Sequence, residues 1–212
     1  MFVILYSCIS KDNHSRLLND FLRKLPVDFQ KNILLYKRWQ DVQLRLLGRL
    51  LLIKGLERNG EDFDKLTIEY TNKGKPYFKE SNIKFNISYS GNIVVCIITN
   101  FCLIGIDIEE KTDIYINDYR NQFSEKEFDM INKDKKNEEF FKFWTKKEAV
   151  VKTNGMGLSI PLNSFEVIDN EVSLDKTFFY LNEVKIAKNY VCHIAMEEKI
   201  ILLNLNPIKI IY

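Results

Sequence analysis

The sequence predicts an α+β protein made of two similar α/β halves in a pseudo-twofold arrangement, with the active-site cleft between them. Three observations carry this. Apolar residues recur at helical spacing in two blocks, 12–60 and 124–153. The stretches after each block alternate with the period of strands. The order strand, helices, strands therefore occurs twice. The second round opens near residue 103 and divides the chain into an N-terminal half, 1–103, and a C-terminal half, 104–212. No internal sequence repeat accompanies this echo.

The elements follow in order. Residues 2–8 read as a first strand. The N-terminus "MFVILYSCIS" is apolar but short and lacks a basic leading region, so it reads as strand rather than signal peptide. In 12–24, Leu17, Leu18, Phe21 and Leu22 keep helical spacing, continued by Leu25, and Pro26 ends the segment. A second helix covers 27–36. A third, "WQDVQLRLLGRLLLIKGLERNG", has a wide apolar face and is closed by Gly60. Gly48 inside it costs about 1 kcal/mol relative to alanine, which a close backbone contact would explain. Strands are expected at 65–70, 83–89, 93–99 and 102–109, with "NKGKP" and "SGN" as turns. Ser124 and Glu127 fit a capping box that starts a helix over 124–132. A longer helix runs over 136–153 and stops at Gly155. Residues 164–206 alternate like several strands, with "IDNE" and "YLNE" as turns.

Bulk properties exclude several classes. With 212 residues and 46% hydrophobic content the chain can build a sizeable core. The net charge of +2, from 31 basic and 29 acidic residues, argues against a generally basic nucleic-acid binder. Charge is unevenly spread: 24–54 is basic and 107–139 mostly acidic. No apolar run approaches a membrane span. A cytoplasmic protein with neither nucleic-acid nor membrane partners is expected. Cys8, Cys96, Cys102 and Cys192 form no C-x-x-C pair; three lie in β-branched surroundings and read as small buried hydrophobes in a reducing cytosol. His14, on a surface helix, and His193, on a strand, lack metal-ligand spacing, which counts against a Ser-His-Asp hydrolase.

Two stretches carry chemistry. In "IGIDIEE", 104–110, side chains alternate, so Asp107 and Glu109 share one face and Ile106 and Ile108 the other. Two neighbouring carboxylates repel unless a cation lies between them. By themselves these residues fit either a solvated strand end or a metal site. In "FWTKKEAVVKTNGMG", 143–157, Trp144, Glu148 and Lys152 fall on one helix side at i,i+4 spacing. Alone, this stretch fits an amphipathic helix with an ordinary Glu-Lys pair. Trp144 and the phenylalanines at 140, 141 and 143 read as core.

Taken together, "IGIDIEE" and "FWTKKEAVVKTNGMGLS" resemble the paired signature of the 4′-phosphopantetheinyl transferases, G-x-D-x-E and W-x-x-K-E-A-x-x-K. Upstream "KGKPYF", "FNISYSG" and "LLGRLLL" resemble the family's other blocks. Order and spacing match its larger, two-halved (Sfp-type) branch over nearly the whole chain. The resemblance implies Mg²⁺-dependent transfer of phosphopantetheine from coenzyme A to a serine of an acyl or peptidyl carrier protein, releasing 3′,5′-ADP. It implies Asp107, Glu109 and Glu148 as Mg²⁺ ligands, Lys152 on the pyrophosphate and Glu148 as general base. Lys147 would position Glu148 or a phosphate. Lys75 and Pro76 would line the adenine pocket, and Ser88 would contact the nucleotide phosphates.

The sequence departs from the family at Tyr89, where a histidine usually helps hold the 3′-phosphate. Arg45 replaces a small Ser or Thr and is expected to take over part of that contact, since a guanidinium presents a fixed fork of donors. Lys31 and Arg38 are further candidates. The chain should act as a monomer, and the carrier should dock on a basic, partly apolar patch near the cleft. Two alternatives stand beside this reading: a Mg²⁺-dependent nucleotide hydrolase or nucleotidyl transferase, for which no P-loop is present, and a coenzyme A- or carrier-binding paralogue without transferase activity.

Overall fold

The computed structural model describes residues 2–199 and 205–212. The first half contains β1 (Phe2–Cys8), α1 (His14–Phe21), α2 (Val27–Leu34), α3 (Trp39–Glu57), the short pair β2 (Ile68–Tyr70) and β3 (Pro76–Phe78), then β4 (Lys84–Ser90) and β5 (Ile93–Thr99). The second contains β6 (Ile104–Glu110), α4 (Glu125–Lys133), α5 (Glu138–Asn154), β7 (Glu171–Leu174), β8 (Thr177–Glu183) and β9 (Tyr190–Met196). A final strand, β10 (Ile208–Lys209), crosses back and pairs parallel to β1.

Among the described residues two four-stranded sheets result, ordered β10-β1-β5-β4 and β6-β9-β8-β7, beside the two-stranded pair β2-β3. In each half the first strand lies beside the last, and the last beside the one before it. That shared order, with a long helix covering each outer face, is the two-halved α+β architecture. Alternation sorts the side chains into three cores. Leu5, Val94, Cys96 and Ile98 pack under α1–α3. Ile4, Val95 and Ile97 meet Ile104, Ile106 and Ile108 between the sheets. Val191 and Ala195 pack under α4 and α5 with Phe140, Phe141 and Val150. Among the described residues no helix is long and apolar enough to cross a membrane.

Strand β6 is therefore buried on both faces, and its alternation sets its register. A slip by one residue would turn Ile106 and Ile108, both 0% exposed, out of the inter-sheet core. Each such loss is worth on the order of 2 kcal/mol. The opposite face carries Gly105, Asp107 and Glu109 towards α5. A Cβ on Gly105 would collide with Ala149 O and lie 2.6 Å from Thr153 N and Oγ1. Gly48 is explained similarly: a Cβ there would lie 3.2 Å from Ile87 Cγ2, so α3 approaches the side chains of the sheet closely.

Several boundaries differ from expectation. The "YLNE" stretch is not a turn but the second half of β8, and the chain reverses over 184–189 instead. Phe179 and Leu181 point into the core, so the intervening polar residues are strand alternation, not turn chemistry. "IDNE" does turn, with Asp169 and Asn170 at positive φ. The helix expected over 12–24 ends as a 3-10 turn, Leu22–Lys24. "KGKPYF" supplies β3 after its turn. Residues 200–204 of the expected strand region lie outside the described residues. Gly155, at φ 81°, ends α5 by donating its N–H to Val151 O.

Gly105→Ala should lower stability by about 3 kcal/mol, because the added methyl meets backbone rather than a movable side chain. Urea unfolding followed by circular dichroism measures this; an unchanged midpoint would contradict the packing described.

Candidate functional site

The site lies along the seam where the edges of the two sheets meet. Here β4 and β6 run side by side, joined by side chains rather than by a backbone ladder. Asn86, Ser88 and Ser90 alternate along β4 and all face β6. Ile106 N–H donates to Asn86 Oδ1 at 3.0 Å. Ser88 Oγ donates to Asp107 Oδ1 at 3.0 Å. Ser90 Oγ donates to Glu109 Oε2 at 2.7 Å and accepts from Glu110 N–H at 3.0 Å.

Helix α5 brings Glu148 and Lys152 over the same place, one turn apart. Lys152 Nζ lies 2.6 Å from Asp107 Oδ1 and donates to Ser88 Oγ at 2.9 Å. Asp107 is 3% exposed, and its Oδ2 is buried without a partner. Burial pushes the Asp107 carboxyl up, with Lys152 and Ser88 pulling it back. Burial and then Asp107 raise Glu109 to about 7. The same two causes raise Glu148. Burial opposes the charge on Lys152, but Asp107, Glu148 and Glu109 outweigh it, and its pKa rises. The cluster thus holds three carboxylates against one lysine and is short of positive charge.

These donors fit a hard divalent cation. They are carboxylate oxygens, one is buried and unpartnered, and Asp107 raises the pKa of both Glu109 and Glu148. As they stand among the described residues, no three His, Cys, Asp or Glu side chains close around one point. Lys152 takes the position nearest Asp107 instead.

A cavity of about 260 Å³ opens beside the acids, lined by Lys73, Lys75, Pro76, Asn86, Glu148 and Lys152 among others. Lys75 Nζ donates to Thr153 O at 2.7 Å, tying the β2–β3 turn to the end of α5, and burial lowers its pKa to about 8. Pro76 and Asn86 also line a second cavity of about 380 Å³ against α3. Arg45 enters it stacked 3.8 Å from the Tyr36 ring and donating to Tyr89 Oη at 2.6 Å. Arg49, one turn on, lies 4.3 Å from the Phe29 ring. Lys31 is exposed on α2, and Arg38 faces Asp41 at 3.9 Å; neither lines these cavities.

Lys147 needs correction. The expectation that it positions Glu148 or a phosphate does not hold, because it points away from the cleft and is 0% exposed. Its Nζ lies 2.8 Å from Glu127 Oε2 and donates to the carbonyls of Leu162 and Phe165. Glu127 also accepts from Ser124 N and Val167 N. The capping box announced Glu127; nothing local announced its lysine, 20 residues on. Sequence reasoning also passed over Asn86, Ser90 and Arg49. The i,i+2 run of small polar residues in "FNISYS" was the available signal for the first two.

The family model for the 4′-phosphopantetheinyl transferase superfamily matches residues 103–199, and that for "4′-phosphopantetheinyl transferase, N-terminal" matches 3–100. The 4′-phosphopantetheinyl transferase gsp of Aneurinibacillus migulanus is 33% identical over 178 residues, 81% of this chain and 73% of that one. The 4′-phosphopantetheinyl transferase Sfp of Bacillus subtilis (strain 168) is 35% identical over 145 residues, 64% of each chain. The L-aminoadipate-semialdehyde dehydrogenase-phosphopantetheinyl transferase of Xenopus laevis is 28% identical over 64% of this chain and 51% of that one. The chain belongs to the 4′-phosphopantetheinyl transferase superfamily, a family of enzymes, and to its two-halved, Sfp-type branch.

Lys147→Met should cost about 3–5 kcal/mol, since it strands Glu127 as a lone buried charge. The double variant K147M/E127Q should recover part of that loss in thermal unfolding. A stable but inactive K147M would instead return the lysine to the chemistry.

Proposed function

We propose that this enzyme transfers the 4′-phosphopantetheine group of coenzyme A to a serine hydroxyl of an acyl or peptidyl carrier protein and releases 3′,5′-ADP. The observation that carries the reading is the convergence of Asp107, Glu109, Glu148 and Lys152 from two elements at the seam between the halves, beside an open cavity. Asp107, Glu109 and Glu148 would hold Mg²⁺, which supplies charge neutralisation on phosphate oxygens.

In this reading the serine oxygen attacks the β-phosphorus, and the bond to the bridging oxygen of the α-phosphate breaks. The electron pair leaves with 3′,5′-ADP. Lys152, kept charged by its carboxylates, lies where it can offset the charge gathering on the departing phosphate. Glu148, which lines the cavity, would accept the serine proton. Ser88, already bonded to Lys152, completes the phosphate contact. Lys75 and Pro76 form the wall for the adenine.

Arg45 and Tyr89 take the 3′-phosphate, replacing the usual histidine. Stacking on Tyr36 pre-orders the guanidinium, which lowers the entropy lost on binding. Lys31 and Arg38 contribute longer-range attraction from the α2–α3 side. The four unpaired cysteines fit a reducing cytoplasm. One chain supplies both walls of the cleft, which suits a monomer.

The test is intact mass of an apo-carrier protein incubated with this enzyme, coenzyme A and Mg²⁺. The carrier should gain one phosphopantetheine, and EDTA or Glu148→Ala should remove the gain, by about 10²-fold in rate or more. Coenzyme A binding without gain across fatty-acid, peptidyl and polyketide carriers would favour a binding paralogue. Arg45→Ala should raise KM for coenzyme A about 10-fold, the scale of one lost charge-assisted contact, and reduce the preference over dephospho-coenzyme A. An unchanged preference would remove Arg45 from the 3′-phosphate site.

A further inference from the structure

Ser90 lines neither cavity. Its hydroxyl has one proton to give and lone pairs to receive. Glu110 N–H donates to the oxygen at 3.0 Å, so the proton is turned to the other side, where Glu109 Oε2 waits at 2.7 Å. Ser88 repeats the arrangement two residues earlier. Lys152 Nζ donates to its oxygen at 2.9 Å, and its proton is directed at Asp107 Oδ1 at 3.0 Å. Two serines at i,i+2 on β4 thus face two carboxylates at i,i+2 on β6, each polarised by a second donor.

We propose that Ser90 is a positioning residue that fixes the Glu109 carboxylate for cation binding through a directed hydroxyl hydrogen bond. The inference rests on the metal reading above. The physical reasons are specific. Glu109 has one more rotatable bond than Asp107 and no lysine on it, so its carboxylate would otherwise be the freer of the two. The short contact uses one carboxylate oxygen and leaves the other available. The anchor of Ser90 is the backbone of Glu110, the residue after the acid, so the hydroxyl moves with the strand it orients. Outer hydrogen bonds of this kind typically change metal affinity or activity about 10- to 100-fold when removed.

The experiment measures Mn²⁺ binding directly, by electron paramagnetic resonance of the free ion, with the full chain and no carrier. Ser90→Ala should weaken half-saturation about 10-fold, and Ser90→Thr, which keeps the hydroxyl, should stay within about 2-fold of the parent. On a Glu109→Gln background, S90A should add no further loss, because the partner charge is gone. That cycle compares chains of equal carboxylate deficit, so a general loosening of the fold would appear as an added loss. In the transfer assay, S90A should raise the Mg²⁺ needed for half-maximal rate while leaving KM for coenzyme A unchanged at saturating Mg²⁺.

Mn²⁺ binding by S90A equal to that of the parent overturns the proposal. So does a loss that adds in full on the E109Q background. A parent chain that binds no Mn²⁺ overturns both this proposal and the metal reading beneath it. Carrier modification that fails while the Mn²⁺ pattern holds overturns the transfer reading and leaves Ser90 in its role.

Discussion

The polar ladder between β4 and β6 is the contact on which the rest depends. An edge strand presents backbone groups that must be satisfied, and β6 is the edge of the second sheet. Asn86 and Ser90 accept its N–H groups at Ile106 and Glu110. Each bond contributes about 1 kcal/mol. Side chains reach farther than a backbone ladder, so the two sheets are joined without merging. The space left along the join is the cleft. Had β4 and β6 paired directly, one continuous sheet would have closed it.

The same join accounts for the electrostatics. Asp107 and Glu109 are held beneath α5 because the three isoleucines of β6 claim the inter-sheet core. Gly105 lets the helix come close enough for Glu148 and Lys152 to reach them. The acids are therefore crowded by packing rather than by mutual attraction, and their raised pKa values record that constraint. Stability elsewhere in the half is spent to hold a charge deficit at one point.

Two lysines of α5 show how position on a helix divides labour. Lys147 and Lys152 are five residues apart and so point to different sides. Lys152 faces the seam and its acids. Lys147 faces the core, where Glu127 and two carbonyls satisfy all three of its donors. That network ties α4, α5 and the segment before β7 together, and so holds the helix that carries Glu148 steady. The motif "KKE" thus contains a structural lysine beside a candidate site carboxylate.

Much of this was legible in the chain itself. The alternation of "IGIDIEE" placed Asp107 and Glu109 on one face, and the spacing in "TKKEAVVK" placed Glu148 and Lys152 on one side. The capping box, Gly155 and the repeated order of elements were likewise local signals. Periodicity says which face a residue takes, because that depends only on its neighbours in sequence. It does not say what lies opposite. The pairing of Lys147 with Glu127, the bonds of Asn86 and Ser90 to a strand some 20 residues away, and the clasp of Arg45 by Tyr36 and Tyr89 were decided by the tertiary structure. So was the return of β10 to β1. In each case the partner is brought by packing of the cores, a sum over many distant contacts that no short window of sequence contains.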